Sequence, residues 1–249
     1  DGTVDKYDVA ERIPKAYKDN SNTIFLLHGE EFANSATTSG VCELMSAGDF
    51  YNITISDKAK FGSGSYYFNG GTSSNIKIDT SHFFYGGTDK ISFTIDFWAN
   101  AEAPIKAATL ISLNSYTYVS RTLIKLQLDA NGYLTLLDTK RASETPVKST
   151  KQLIADTWHH IALVFDGSTL KAKLLIDGET QGELGLYSDG TSTSLNIGGL
   201  GNWRDYYNNH PDGGGHYEIF KGYIDEFRAT NKAETEFTSY EDVKGWVRL

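Results

Sequence analysis

Cys42 is the one cysteine of the chain, so no internal disulfide can form. Small secreted domains lean on such bridges, but 249 residues suffice to hold a core without them. The thiol reads as a buried, inert side chain. The chain reads as cytoplasmic, or as a secreted or virion protein large enough to need no staple. Positive charge is also short, with 23 Lys and Arg against 32 Asp and Glu, a net charge of −9. Nucleic-acid binders gather Lys and Arg on one face, and no such cluster occurs here, which excludes a phosphate-coated partner. No apolar run approaches the roughly 18 residues that a membrane-spanning helix needs. The stretch Ile161–Phe165 is only strand-sized, so no membrane insertion is expected. Sustained helical periodicity is missing too, apart from short turns expected near Ser35 and after Thr235. The first residue is Asp1 rather than Met, and no signal peptide is visible, which predicts a portion of something longer.

What is present favours strands. Aromatic residues make up 13% of the chain, and flat rings suit a pleated surface. The 24 glycines supply the positive φ that many turns demand. Residues 1–22 are polar and aperiodic and read as an extension or linker, with one domain over 23–249. In Ile91–Trp98, Ile91, Phe93, Ile95 and Phe97 alternate with Ser92, Thr94, Asp96 and Trp98, the pattern of a half-buried strand. Further strands are expected at 24–28, 65–69, 75–79, 123–129, 134–138, 158–166, 170–176, 194–198 and 221–229. Asn131-Gly132, Asp166-Gly167 and Asp177-Gly178 mark turns between them. Many short strands at regular spacing predict an all-β fold, a two-sheet antiparallel sandwich.

Several motifs recur in a telling order. They are Phe25-Leu26-Leu27-His28-Gly29-Glu30, Phe61-Gly62-Ser63-Gly64-Ser65-Tyr66-Tyr67-Phe68-Asn69-Gly70 and Phe93-Thr94-Ile95-Asp96-Phe97-Trp98. Then follow Trp158-His159-His160-Ile161-Ala162-Leu163-Val164-Phe165-Asp166-Gly167, Leu175-Ile176-Asp177-Gly178, Ile197-Gly198-Gly199 and Phe220-Lys221-Gly222-Tyr223-Ile224-Asp225-Glu226-Phe227-Arg228. In this order the chain resembles the laminin-G-like, concanavalin A-like jelly roll of bacterial surface proteins and phage virion proteins, over roughly residues 23–238. The resemblance implies a jelly-roll sandwich at the cell surface, outside the cell or on a virion. Its members include lectins, docking modules, structural domains and glycoside hydrolases, so the fold leaves function open. Most motif residues read structurally: Gly62, Gly64 and Gly70 as turn formers, Trp158 as core. His159 and His160, adjacent on a strand, point to opposite faces and do not share an ion.

Glycosidase relatives carry a Glu-x-Asp-x-Glu strand, which sets two carboxylates about 5 Å apart for a retaining mechanism. No Glu here is followed by Asp two positions later. The Gly-x-Ser-x-Gly elbow, the His-Glu-x-x-His helix and the phosphate loop are absent as well. Asp225 and Glu226 are adjacent, and consecutive strand residues face opposite ways. The chain is expected not to be an enzyme.

The resemblance also implies a structural calcium ion between the first and last strands, held by hard oxygen ligands. The matching residues are Glu30 and Asp225, with Asp225 placed on the face of Tyr223 and Phe227. The usual Asp-bearing loop is replaced by Asn34–Gly40, which has no Asp.

The longest insertion joins Gly199 to Phe220. Trp203, Tyr206 and Tyr207 suit stacking on pyranoside faces, while Arg204, Asp205, Asn208, Asn209 and His210 suit hydrogen bonds to hydroxyls. The run Gly213-Gly214-Gly215 lets such a loop fold over a groove. A second aromatic-polar stretch, Asn114–Tyr118, is a candidate contributor to the same rim, its position left open by the sequence. The leading expectation is a carbohydrate-binding or adhesion module that recognises a cell-surface or extracellular glycan. The alternatives are a structural or docking module that contacts neighbouring virion or surface-protein modules and, third, a glycoside hydrolase. Tyr, Asn and Gly also suit protein contacts.

Overall fold

Alternating apolar side chains and Gly-bearing turns fold into two stacked antiparallel sheets. The computed structural model describes residues 16–17, 21–33, 50–71, 74–80, 92–115, 121–138, 145–186, 194–199, 219–235 and 237. Its strands are β1 (Thr23–Leu27), β2 (Phe50–Tyr51), β3 (Ile53–Ser56), β4 (Ser65–Asn69) and β5 (Asn75–Asp79). Next come β6 (Phe93–Ala101), β7 (Ala108–Ser115), β8 (Arg121–Leu128), β9 (Tyr133–Asp138) and β10 (Val147–Gln152). The last are β11 (Trp158–Asp166), β12 (Lys171–Ile176), β13 (Glu179–Gly185), β14 (Ser194–Ile197) and β15 (Lys221–Thr230).

Sheet A runs β13-β12-β11-β6-β15-β4-β3, with β1 pairing the far part of β15; sheet B runs β10-β9-β8-β7-β14-β5-β2. Between them lies one core that includes Phe25, Tyr66, Phe68, Phe93, Phe97 and Phe227 from sheet A and Ile76, Ile111, Leu126 and Leu195 from sheet B. Fully burying one such side chain stabilises the fold by roughly 1.5–3 kcal/mol.

The expected turns are in place. Asn131-Gly132 joins β8 to β9, with Asp129 Oδ1 accepting the N–H groups of Asn131 and Tyr133. Asp166 Oδ1 accepts the Ser168 N–H after β11. Asp177-Gly178 turns β12 into β13 with positive φ at both residues (49° and 77°), the twist a tight hairpin requires. The turns expected near Ser35 and after Thr235 fall outside the described residues or at their edge.

Four sequence expectations are corrected. Strands β2, β3, β7, β10 and β13 were not expected: β2 and β3 are only two and four residues long, β10 and β13 are polar and lie at sheet edges, and a register shift interrupts β7 between Thr109 and Ile111. Strand β6 is not half-buried; all nine of its residues are buried, and on its outer face Thr94 Oγ1 donates to Lys232 O and accepts the Glu234 N–H. Trp158 does not enter the core; it is half-buried on that outer face. Phe227 and Asp225 do not share a face. A bulge after Asp225 sets Glu226 and Phe227 opposite Phe97, with Glu226 at φ 50°, so Phe227 turns into the core while Asp225 stays outside it.

Gly198 ends β14 at φ 80°, and a Cβ there would fall 2.3 Å from the buried Phe68 ring. Its N–H donates to Leu110 O and its carbonyl accepts the Phe220 N–H, at 2.8 and 3.0 Å. Gly198→Ala is expected to cost about 2–4 kcal/mol, from overpacking and the left-handed backbone together. A urea midpoint that stays in place would refute this.

Candidate functional site

Alternation puts every second residue of sheet B on its outer face, and there the register lines up polar side chains. One row runs Lys77 (β5), Asn196 (β14), Ser112 (β7) and Lys125 (β8). The next sets Asp79, Ser194 and Asn114 side by side. These strands hold apolar residues on the inner face, so the polar row is the outer half of the pattern that builds the core.

The row is dense with hydrogen-bonding capacity. Asn114 Nδ2 donates to Ser112 Oγ at 3.2 Å, and Ser112 Oγ donates to Gly199 O at 3.1 Å. Asn196 Nδ2 lies 3.5 Å from Ser194 Oγ. Among the described residues Asn196 Oδ1 is buried without a hydrogen-bond partner. Lys125, only 6% exposed, has no hydrogen-bond or ion-pair partner among them either. Buried polar atoms without partners are costly, and a ligand able to pair with them removes that cost.

Gly199 ties this floor to the long insertion. The Phe220 N–H bonds Gly198 O, and Ile219 bridges Thr109. The described residues Gly198 and Phe220, on either side of the segment 200–218, are thereby held together beside the floor. The expected ligand residues Trp203, Arg204, Asp205, Tyr206, Tyr207, Asn208, Asn209 and His210 lie outside the described residues. Of the second stretch, Asn114 is buried in β7 and Tyr116–Tyr118 lie outside them.

Glu30 and Asp225 meet around one loop of residues 57–64. Glu30 is exposed, and its Oε1 accepts the Ser63 N–H at 2.8 Å. Asp225 is buried; Oδ2 accepts the N–H groups of Lys60 and Phe61 (2.8 and 3.0 Å), and Oδ1 that of Glu226 (2.8 Å). Burial pushes the Asp225 carboxyl up to about 7 against the pull of these N–H groups, and the charge of Glu226 adds to the rise. Both carboxylates serve N–H donors, and no group of three or more His, Cys, Asp or Glu among the described residues could hold a metal ion.

The acidic pair at the bulge does not split to opposite faces as strand alternation predicts. Glu226 is buried beside Asp225, accepting the Tyr17 N–H and bonding His28 Nδ1 at 2.8 Å. The hydrogen bond to Glu226 raises the His28 pKa.

The adjacent histidines have separate partners. His159 Nε2 accepts the Ile154 N–H at 3.0 Å, so the proton is on Nδ1, which lies 2.8 Å from Asp177 Oδ2. Burial works to raise Asp177, but the bonds from His159, the His160 N–H and Lys151 hold it at about 2. His160 Nε2 meets Tyr17 Oη at 2.6 Å and Asp96 Oδ2 at 3.2 Å. Asp96 also receives Arg228 Nε and an Arg228 terminal nitrogen, each at 3.0 Å, and the Tyr17 ring lies 4.1 Å from the Arg228 guanidinium. This buried network locks the outer face of sheet A.

Two facing antiparallel sheets around one core define a jelly-roll sandwich. The chain belongs to the concanavalin A-like lectin/glucanases superfamily, whose profile matches residues 69–236. No curated protein matches the sequence. Among solved structures, domain 4 of AbnA, a GH43 extracellular arabinanase from Geobacillus stearothermophilus in complex with arabinotriose, is similar at 16% identity and TM-score 0.57, covering 86% of this chain and 94% of that one. The binding domain of botulinum neurotoxin serotype G is similar at 16% identity and TM-score 0.57, covering 86% of this chain and 49% of that one. The chain thus spans about half the length of that toxin domain. These likenesses show the fold. No helix among the described residues is long and apolar enough to cross a membrane.

Proposed function

We propose that this domain is a non-catalytic carbohydrate-binding module of a secreted or surface-displayed protein. Its glycan sits on the outer face of sheet B beside the segment 200–218. The carrying observation is the register row Lys77, Asn196, Ser112 and Lys125, in which Asn196 Oδ1 is buried without a hydrogen-bond partner among the described residues. Saccharides present a dense array of hydroxyls that act as donor and acceptor at once, which is what such a row takes up. Trp203, Tyr206 and Tyr207 supply stacking surfaces, and Arg204, Asp205, Asn208, Asn209 and His210 supply orienting hydrogen bonds. The arabinotriose on the similar arabinanase domain supports a saccharide ligand.

A glycan array tests this reading. Wild type is expected to give a defined signal, which Asn196→Ala, Trp203→Ala and Tyr206→Ala each reduce tenfold or more at an unchanged melting temperature. A blank array together with a stable oligomer would replace it with the docking reading, and turnover of a bound glycan would replace it with the hydrolase reading. Melting curves with calcium and with chelator test the Glu30–Asp225 expectation separately: an unchanged midpoint removes it.

A further inference from the structure

The opposite face of the molecule carries a second row, built of aromatic residues. Trp158 (β11), Asn100 (β6), Tyr223 (β15) and Tyr67 (β4) are register partners across the outer face of sheet A. The three rings are half-buried. Tyr67 and Tyr223 lie 4.9 Å apart at 36°, and Trp158 and Tyr223 lie 6.5 Å apart at 59°.

Two ammonium groups from the loop 57–61 stand on this face, one over Tyr223 of the row and one over the neighbouring Trp98. Lys58 Nζ lies 4.4 Å from the Tyr223 ring centre, 3.2 Å from Asn100 Oδ1 and 3.5 Å from Asp156. Lys60 Nζ lies 4.2 Å from the Trp98 ring centre, and Trp98 is two residues from Asn100 on β6. Among the described residues Lys60 Nζ has no hydrogen bond and no carboxylate within ion-pair reach. The Asn100 carboxamide is 1% exposed, and its Nδ2 has no hydrogen-bond partner among them. Asp225 fixes the loop by holding the N–H groups of Lys60 and Phe61. The position of Lys60 is therefore built into the frame.

We propose that this row is a second saccharide site, selective for acidic sugars: the pyranoside ring stacks on Trp158 and Tyr223, and its carboxylate pairs with Lys60. Three half-buried rings in line give an apolar surface, and Asn100, Lys58 and the Tyr67 hydroxyl, which donates to Glu102 Oε2 at 3.0 Å, give the polar edge that a sugar ring needs. Lys60 is desolvated over an indole, and Asp177 and Asp225 act on it only from beyond ion-pair reach; a carboxylate on the ligand completes it in a protein of net charge −9. Displacing Lys58 from Asn100 opens that carboxamide to a sugar hydroxyl. This site is independent of the floor on sheet B.

Titration calorimetry with trigalacturonate and its methyl ester, which share rings and differ in charge, tests the proposal on the wild-type chain. The acid is expected to bind at least tenfold tighter than the ester. Lys60→Gln should abolish that preference without shifting the melting temperature, Tyr223→Ala should remove binding of both, and Asn196→Ala should change neither. No binding of trigalacturonate, equal binding of acid and ester, or an undiminished preference in Lys60→Gln would overturn it. Loss of the acid's binding in Asn196→Ala would assign the acid to the floor and overturn it too. The glycan array on the floor variants stands or falls separately.

Discussion

Replacing Asp96 by Ala is expected to cost about 3–5 kcal/mol of folding stability at neutral pH, the usual loss when one partner of a buried ion pair is removed. Asp96 is fully buried and holds Arg228 through two bonds of 3.0 Å and His160 through one of 3.2 Å. Burial alone would raise its carboxyl, but His160 and Arg228 hold it below the usual carboxylate range. Without it, Arg228 keeps a largely buried charge that has lost its hydrogen-bonded carboxylate. Arg228→Ala should be costly for the mirror reason, because it leaves the carboxylate unpaired. The double variant should lose clearly less than the sum of the singles, since neither charge is then left alone. Guanidinium denaturation of the four proteins measures the cycle; additive losses, or a single loss under 1 kcal/mol, would refute it. The sign of the pH effect follows: a depressed carboxyl contributes stability above its ordinary pKa of 3.8 and loses it as pH falls through the folded value.

The second large effect runs the other way with pH. Asp225 titrates near 7 in the folded chain against an ordinary 3.8, because burial disfavours its charge. Between those values the native state holds a proton that the unfolded chain has released, so stability falls as pH rises. The full span corresponds to on the order of 4 kcal/mol. His28 acts in the same direction: its raised pKa makes a contribution that is complete below 6.5 and lost as pH rises through the folded value. Asp225→Asn removes the larger titration. Wild type minus variant, followed by urea unfolding from pH 4 to pH 8, should decline toward high pH. Parallel profiles would refute the assignment.

Much of the frame was legible in the chain itself. Strands β4, β5 and β11 match the expected spans residue for residue, because local alternation and Asp-Gly or Asn-Gly turns mark them without help from distant residues. Strands β10 and β13 were hidden: edge strands bury little, so Val147–Gln152 and Glu179–Gly185 carry no apolar stripe. The sheet B floor was half visible. Lys77, Lys125 and Asn196 are the off-face residues of expected strands, but only strand order makes them neighbours, and Ser112 lay in a strand that was not expected.

Sequence alone determined the all-β class, the two-layer build, the family and the composition of the 200–218 insertion, because each depends on local pattern or on the order of short motifs. Tertiary structure decided which polar residues stand side by side, that a bulge at Glu226 turns Phe227 inward and leaves Asp225 outside the core, and that Trp158 belongs to a surface row. Register and bulges depend on pairing between strands far apart in the chain, and no local window of sequence contains that information.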